Sequence, residues 1–119
     1  MFQLNAGRAV YLHREPIDFR KNINGLASLV EHGLGMDAFA QAVFVFGNRS
    51  KDRVKILGWD RNGFWLLQKR LENARFVWPR VDAAVIDLTV QVHRPARIQL
   101  EHGRWLSICM TPDNSFILA

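Results

Sequence analysis

Between Val43 and Pro79 the chain sets side chains that attract polyanions beside side chains that stack on flat rings. This stretch, VFVFGNRSKDRVKILGWDRNGFWLLQKRLENARFVWP, holds eight of the sixteen Lys and Arg residues but three of the eleven Asp and Glu. It also holds seven of the chain's aromatic residues, while basic and acidic side chains cancel elsewhere, so the net charge of +5 resides here. Lys and Arg neutralise phosphates and release counterions, and aromatic rings offer stacking faces to unpaired bases. The chemistry implied is recognition of a polyanion, with nucleic acid ahead of an anionic membrane surface. The candidate phosphate contacts are Arg49, Lys51, Arg53, Lys55 and Arg70, with Arg61 at a turn, and Trp59 and Phe64 are the candidate stacking residues. Upstream, Arg20 and Lys21 fall in the first turn of an expected helix, where free backbone amides could help hold a phosphate.

Catalysis is not expected. Metal-dependent phosphoryl transfer needs converging carboxylates, and the acids of the central stretch each have a structural reading. Asp52 is a partner within a basic loop, Asp60 a turn former and Glu72 a turn flank. Neither a glycine-rich phosphate loop nor an assignable Ser-His-Asp order occurs. Cys109 is the single cysteine, which excludes an intrachain disulfide and a cysteine-rich metal site and suits a reducing cytoplasm. His13, His32, His93 and His102 are never four apart, so neither a metal nor another cofactor is expected. No apolar run has the length of a membrane span, and MFQLNAGR lacks the basic-then-apolar order of a signal peptide. The expected location is cytoplasmic, with no membrane partner.

The elements that must position these residues emerge from periodicity. Ala9 to His13 reads as a first strand, ended by Arg14-Glu15-Pro16. Asp18 is the expected N-cap of a helix whose apolar face is Phe19, Ile23, Leu26, Ala27, Val30 and Leu34, stopped by Gly33 and Gly35. Ala42 to Phe46 is apolar on both faces, as in a buried central strand. Arg53 to Trp59 and Phe64 to Leu71 form a hairpin around Asp60-Arg61-Asn62-Gly63, with either Asn62-Gly63 or Arg61-Asn62 as its loop.

Parity then sorts the hairpin's side chains whichever loop is used. Arg53, Lys55, Leu57, Trp59, Phe64, Leu66, Gln68 and Arg70 share a face expected to meet water. Val54, Ile56, Gly58, Trp65, Leu67, Lys69 and Leu71 share the face expected beneath the helix. A turn at Asn73-Ala74 returns Arg75 to Pro79 as a third strand, with Phe76 opposite Leu71 and Trp78 near Lys69. The expected fold is α+β, an antiparallel meander with one main helix packed on one face. Further on, Arg97 to Leu100 and Trp105 to Met110 suggest a hairpin around His102-Gly103, and Thr111 to Ala119 reads as a tail.

Two segments carry a family resemblance. Asp18-Phe-Arg20-Lys21-Asn-Ile-Asn24-Gly25-Leu26 resembles the D-x-R-K-x-x-D-G-L signature of a small accessory protein of bacterial insertion sequences. Val45 to Phe64 resembles that family's second signature, which continues through Lys69-Arg70-Leu71-Glu72, Arg75-Phe76 and Trp78-Pro79. The family is the IS-sixty-six-type TnpB, encoded by the element's second reading frame and distinct from the RNA-guided nuclease sharing that name. The resemblance covers about residues 12–79. Asn24 stands in place of the usual Asp, and Asn22 where a small residue is common. Leu88-Thr89 matches the family's L-T pair, but Val92-His-Arg-Pro95 and the residues C-terminal to it depart from its Leu-rich helix. Residues 1–92 are therefore expected to form the accessory-protein domain and 93–119 a divergent tail, as after translation out of frame.

The resemblance implies a role in moving the element beside a separate transposase. Joined to the basic stretch, it gives a non-catalytic accessory protein that binds DNA. The alternative is an interaction module that bridges the transposase or another element-encoded subunit without touching DNA.

Overall fold

In the computed structural model, residues 9–88, 96–110 and 116–118 are described. Strand β1 (Ala9–His13) leads through helix α1 (Ile23–Ser28), continued by a π-helical turn (Leu29–Gly33), to β2 (Ala42–Gly47). After these come β3 (Arg53–Asp60), β4 (Gly63–Arg70), β5 (Phe76–Val77), β6 (Val85–Asp87), β7 (Ala96–Leu100), β8 (Trp105–Met110) and β9 (Phe116–Leu118). They build a five-stranded sheet in the order β4-β3-β2-β1-β6 and a four-stranded sheet in the order β5-β7-β8-β9. Among the described strands only β1 and β2 pair in parallel, and the helix forms the crossover that a parallel pair requires. Among the described residues the fold is α+β, with a mostly antiparallel main sheet, one α-helical segment and a short 3-10 turn (Glu101–Gly103) between β7 and β8.

β2 explains the layering. Its sequence AVFVFG is buried throughout because Ala42, Phe44 and Phe46 face one cluster while Val43 and Val45 face another. The first cluster lies under the helix, with Leu26, Val30, Ala38 and Leu57 buried in it and Phe64 and Leu66 at its border. The second joins Val10, Leu12, Val54 and Ile56 of the main sheet to Phe76, Ile98, Leu100 and Leu106 of the second. Three layers result: helix, five-stranded sheet, four-stranded sheet.

The hairpin parity holds, and the choice of covered face does not. β3 and β4 pair with Trp59 opposite Phe64, Leu57 opposite Leu66, Lys55 opposite Gln68 and Arg53 opposite Arg70, so Arg61-Asn62 is the loop. The helix, however, packs on the Leu57 and Leu66 side, the side expected to meet water. The second sheet covers the Val54 and Ile56 side, the side expected beneath the helix. Period-two alternation separates two faces without saying which one a helix covers. The two-sided apolar character of β2 already required a layer on each.

Two further elements differ from the sequence reading. Phe76-Val77 does not extend the meander: Phe76 pairs with Leu100 and Val77 with Gln99 in the second sheet. Phe76 and Trp78 still pack with Leu67 and Leu71, as expected of core-facing aromatics. The hairpin around His102-Gly103 forms as expected, and Phe116–Leu118 pairs with β8, so that part of the anticipated tail is a strand.

Candidate nucleic-acid interface

The helix begins later than the sequence suggests, and Lys55 supplies the reason. Lys55 is 4% exposed, and its Nζ donates to the carbonyls of Phe19 (2.8 Å) and Lys21 (2.7 Å). In a helix starting at Phe19 those carbonyls would accept the amides of Ile23 and Gly25. The buried ammonium takes them instead, and the ring of Phe19 lies 4.9 Å from it. Asn22 becomes the N-cap residue, without a side-chain capping bond. Asp18 caps a separate turn, where its Oδ1 accepts the Arg20 amide at 2.9 Å and its Oδ2 accepts the Arg20 guanidinium at 2.6 Å. Those hydrogen bonds hold the Asp18 carboxyl at about 2, below the ordinary 3.8.

Lys55 is therefore withdrawn from any water-facing surface. Burial, then the charge of Arg53, lowers its pKa, with Asp18 opposing. Arg20 is exposed but ion-paired with Asp18, and neither it nor Lys21 lies in the helix's first turn. Arg53 and Arg70 meet as a like-charged cross-strand pair, an arrangement that destabilises unless anions intervene. Glu72 pairs with Arg70 at 3.0 Å. Asp52, whose carboxyl is lowered chiefly by the Asn48 amide, also feels the charges of Arg53 and Arg70. Of the sheet-face cations, Lys55 is buried and Arg70 is ion-paired, while Arg53 is half-buried with an Nε–H that has no acceptor among the described residues.

Trp59, Arg61 and Phe64 lie at the opposite end of β3 from Arg49 and Lys51. Seven strand steps separate Arg53 from Asp60, about 23 Å. Trp59 and Phe64 are stacked edge to face at 5.0 Å, and Phe39 lies 4.9 Å from Trp59 and 5.3 Å from Phe64. Arg61 is exposed in the turn, with φ of 51°. The ten sequence-predicted residues therefore form no single site.

What the structure does bring together is the β2–β3 loop and the segments beside it. Asn48 organises the loop: its Oδ1 accepts the amides of Asp52 and Arg53, both at 3.1 Å, and its Nδ2 donates to Asp52 at 2.6 Å. Lys51 takes a left-handed φ of 61°, and its carbonyl accepts the Phe76 amide at 2.7 Å. Arg49 and Lys51 are exposed, and no described carboxylate is ion-paired with either. They border a cleft of about 420 Å³ together with Arg14, Gly47, Trp78 and Arg80. Glu15 and Asp82 also line it.

The cleft's floor is fixed. Trp78 donates its indole N–H to the His13 carbonyl at 3.0 Å, and its ring lies so close to β2 that a Cβ on Gly47 would come within 3.0 Å of it. Arg14 donates to the Val81 carbonyl at 3.1 Å and pairs with Glu15 at 2.9 Å, while its Nε is buried without an acceptor. Sequence reasoning misses Arg14, Trp78 and Arg80 as site residues. By sequence Arg14 is only part of a strand stop and Trp78 only a core aromatic. The signal available was that both Arg14 and Arg80 follow short apolar runs beside a proline, Pro16 and Pro79.

The acids of the central stretch have structural partners. Asp52 is bound by Asn48, Asp60 accepts the indole N–H of Trp65 at 3.3 Å and Glu72 holds Arg70. Among the described residues no cluster of His, Cys, Asp and Glu could hold a metal ion, and no helix is long and apolar enough to cross a membrane.

Comparison with known proteins extends the likeness beyond these motifs. The chain is 32% identical over 83 residues to the uncharacterized protein y4jC of Sinorhizobium fredii (strain NBRC 101917 / NGR234), a match spanning 70% of this chain and 71% of that protein. It is 33% identical over 72 residues to the uncharacterized protein y4hO of the same strain, spanning 60% of this chain and 63% of that one. No solved structure matches significantly. Residues 8–96 match the family described as IS66 Orf2 like protein, a family of insertion-sequence proteins that is not known as catalytic. The chain belongs to the IS66 Orf2-like protein family.

Proposed function

We propose that this chain is a non-catalytic accessory protein for transposition of a bacterial insertion sequence, acting in the cytoplasm. It contacts DNA through the β2–β3 loop. The observation that carries this reading is the pair Arg49 and Lys51, exposed, without a described ion-pair partner, on a loop whose backbone Asn48 holds in place. A fixed loop presents cations to phosphates at a smaller ordering cost than a flexible one. The sheet face contributes less than its sequence suggests, because Lys55 is buried and Arg70 is paired. Arg53, Arg20, Lys21 and Arg61 are secondary contacts.

Fluorescence anisotropy on duplexes from the element's ends and on unrelated duplexes, at two salt concentrations, tests the reading. Binding to both that weakens steeply with salt is expected, and no binding to either at low salt would refute it. Residues 93–119 are, on the same reading, a divergent tail, and the family match, which ends at residue 96, leaves residues 97–119 of it unmatched. A Leu-rich helical continuation in another frame of the gene, past the codon for Gln91, would support this.

A second reading, docking of the element's transposase, is favoured by Phe39, which is 52% exposed beside Trp59 and Phe64. Exposed aromatics of this kind anchor protein interfaces. Co-purification with the transposase at high salt and without DNA would support it.

A further inference from the structure

We infer that the cleft over Trp78 takes a single unpaired nucleotide of a DNA strand, so that the protein prefers junctions between duplex and single strand over uninterrupted duplex. The inference rests on the proposed DNA binding and adds a ligand class to the same end of the molecule.

The geometry separates this site from a plain phosphate-binding surface. A cleft of about 420 Å³ falls within the roughly 300–1,000 Å³ of pockets that enclose small ligands. A stacked duplex is convex and cannot enter such a concavity unless a base leaves the stack. A base that is already unpaired enters at smaller cost. Its wall is an indole that cannot drift: Trp78 is tied by its N–H to the His13 carbonyl and seated against Gly47. Immobile rings beside cations are what single-strand binders use, because every base has a flat face to stack while the backbone is tracked by charge.

The charge is placed for that backbone. With Arg14 and Glu15 paired to each other, Arg49, Lys51 and Arg80 remain around the cleft against one carboxylate, Asp82. A separate depression around Glu72, Glu101, His102 and Arg104 has no such cationic excess.

The test uses the full chain and labelled duplexes: one flush, one with a short 3′ thymidine overhang, one with a 5′ overhang. At least one overhang should bind tighter than the flush duplex by about fivefold or more, the gain expected from one stacked base. Arg80→Ala and Trp78→Leu should abolish that preference. Because Trp78 also packs in the core, the wild-type chain supplies a second readout, the indole N–H resonance of Trp78, which should shift saturably with oligothymidine and not with oligoglutamate. Equal affinity for all three duplexes would overturn the cleft assignment while leaving duplex binding intact. Binding to none would overturn both. An equal indole shift with oligoglutamate would reduce the cleft to a charge site and overturn the nucleotide assignment.

Discussion

Lys55 shows how one side chain redirects a fold. By sequence it belongs to a cationic row, yet its ammonium bridges two carbonyls of the segment before the helix and delays the helix start to Ile23. Lys55→Met should keep the volume and remove the donor, costing about 1–3 kcal/mol for each acceptor left bare. Urea melts would measure this, and an unchanged midpoint would contradict it. Its lowered pKa has a sign as well. The folded chain releases this proton before the unfolded chain does, so stability should rise with pH from the lowered value toward 10.5. Asp18 works in the opposite range. Its carboxyl is depressed to about 2, so its contribution is complete above 3.8 and lost as pH falls through about 2. NMR titration should place the midpoint near 2 and move it toward 3.8 in Arg20→Gln, and an unmoved midpoint would exclude the pairing.

At the scale of elements, the β2–β3 loop depends on Asn48 and on the absence of a side chain at Gly47. Asn48→Ala removes two amide acceptor contacts and the bond to Asp52. Free to reorder, the loop should bind duplex DNA several-fold more weakly, while a thermal melt shows only modest destabilisation. Gly47→Val should be far more damaging, because the added carbons meet the Trp78 ring, and overpacking costs about 1–3 kcal/mol. Much of this level was legible in sequence. β1, β2, the β3–β4 hairpin and the β7–β8 hairpin arise from alternation and turn residues, which act locally. The start of the helix was not legible, because it is decided by a lysine on a strand thirty-odd positions away. Nor was the place of Phe76-Val77, whose partners Leu100 and Gln99 lie more than twenty positions away. The cleft shares this fate, since Arg14, Arg49 and Arg80 come together only when β1, β2 and the segment after β5 converge.

For the molecule as a whole, the segment beyond the family match is part of the structure. Ile98, Leu100 and Leu106 are buried in the cluster that covers the Val54 and Ile56 face. Leu106→Ala should therefore cost about 2–5 kcal/mol in a denaturant melt, and a cost near zero would mark that segment as an appendage. On the proposed reading, Arg49 and Lys51 of the loop between β2 and β3, exposed and without a described ion-pair partner, carry the principal phosphate contacts. The most direct test of that claim is the salt dependence of duplex binding by the wild-type chain and by the Arg49→Ala/Lys51→Ala double variant. Each phosphate contact contributes about 0.9 to the slope of log affinity against log salt, so the double variant should lose close to two such increments while melting like the wild type. An unchanged slope and affinity would contradict the account.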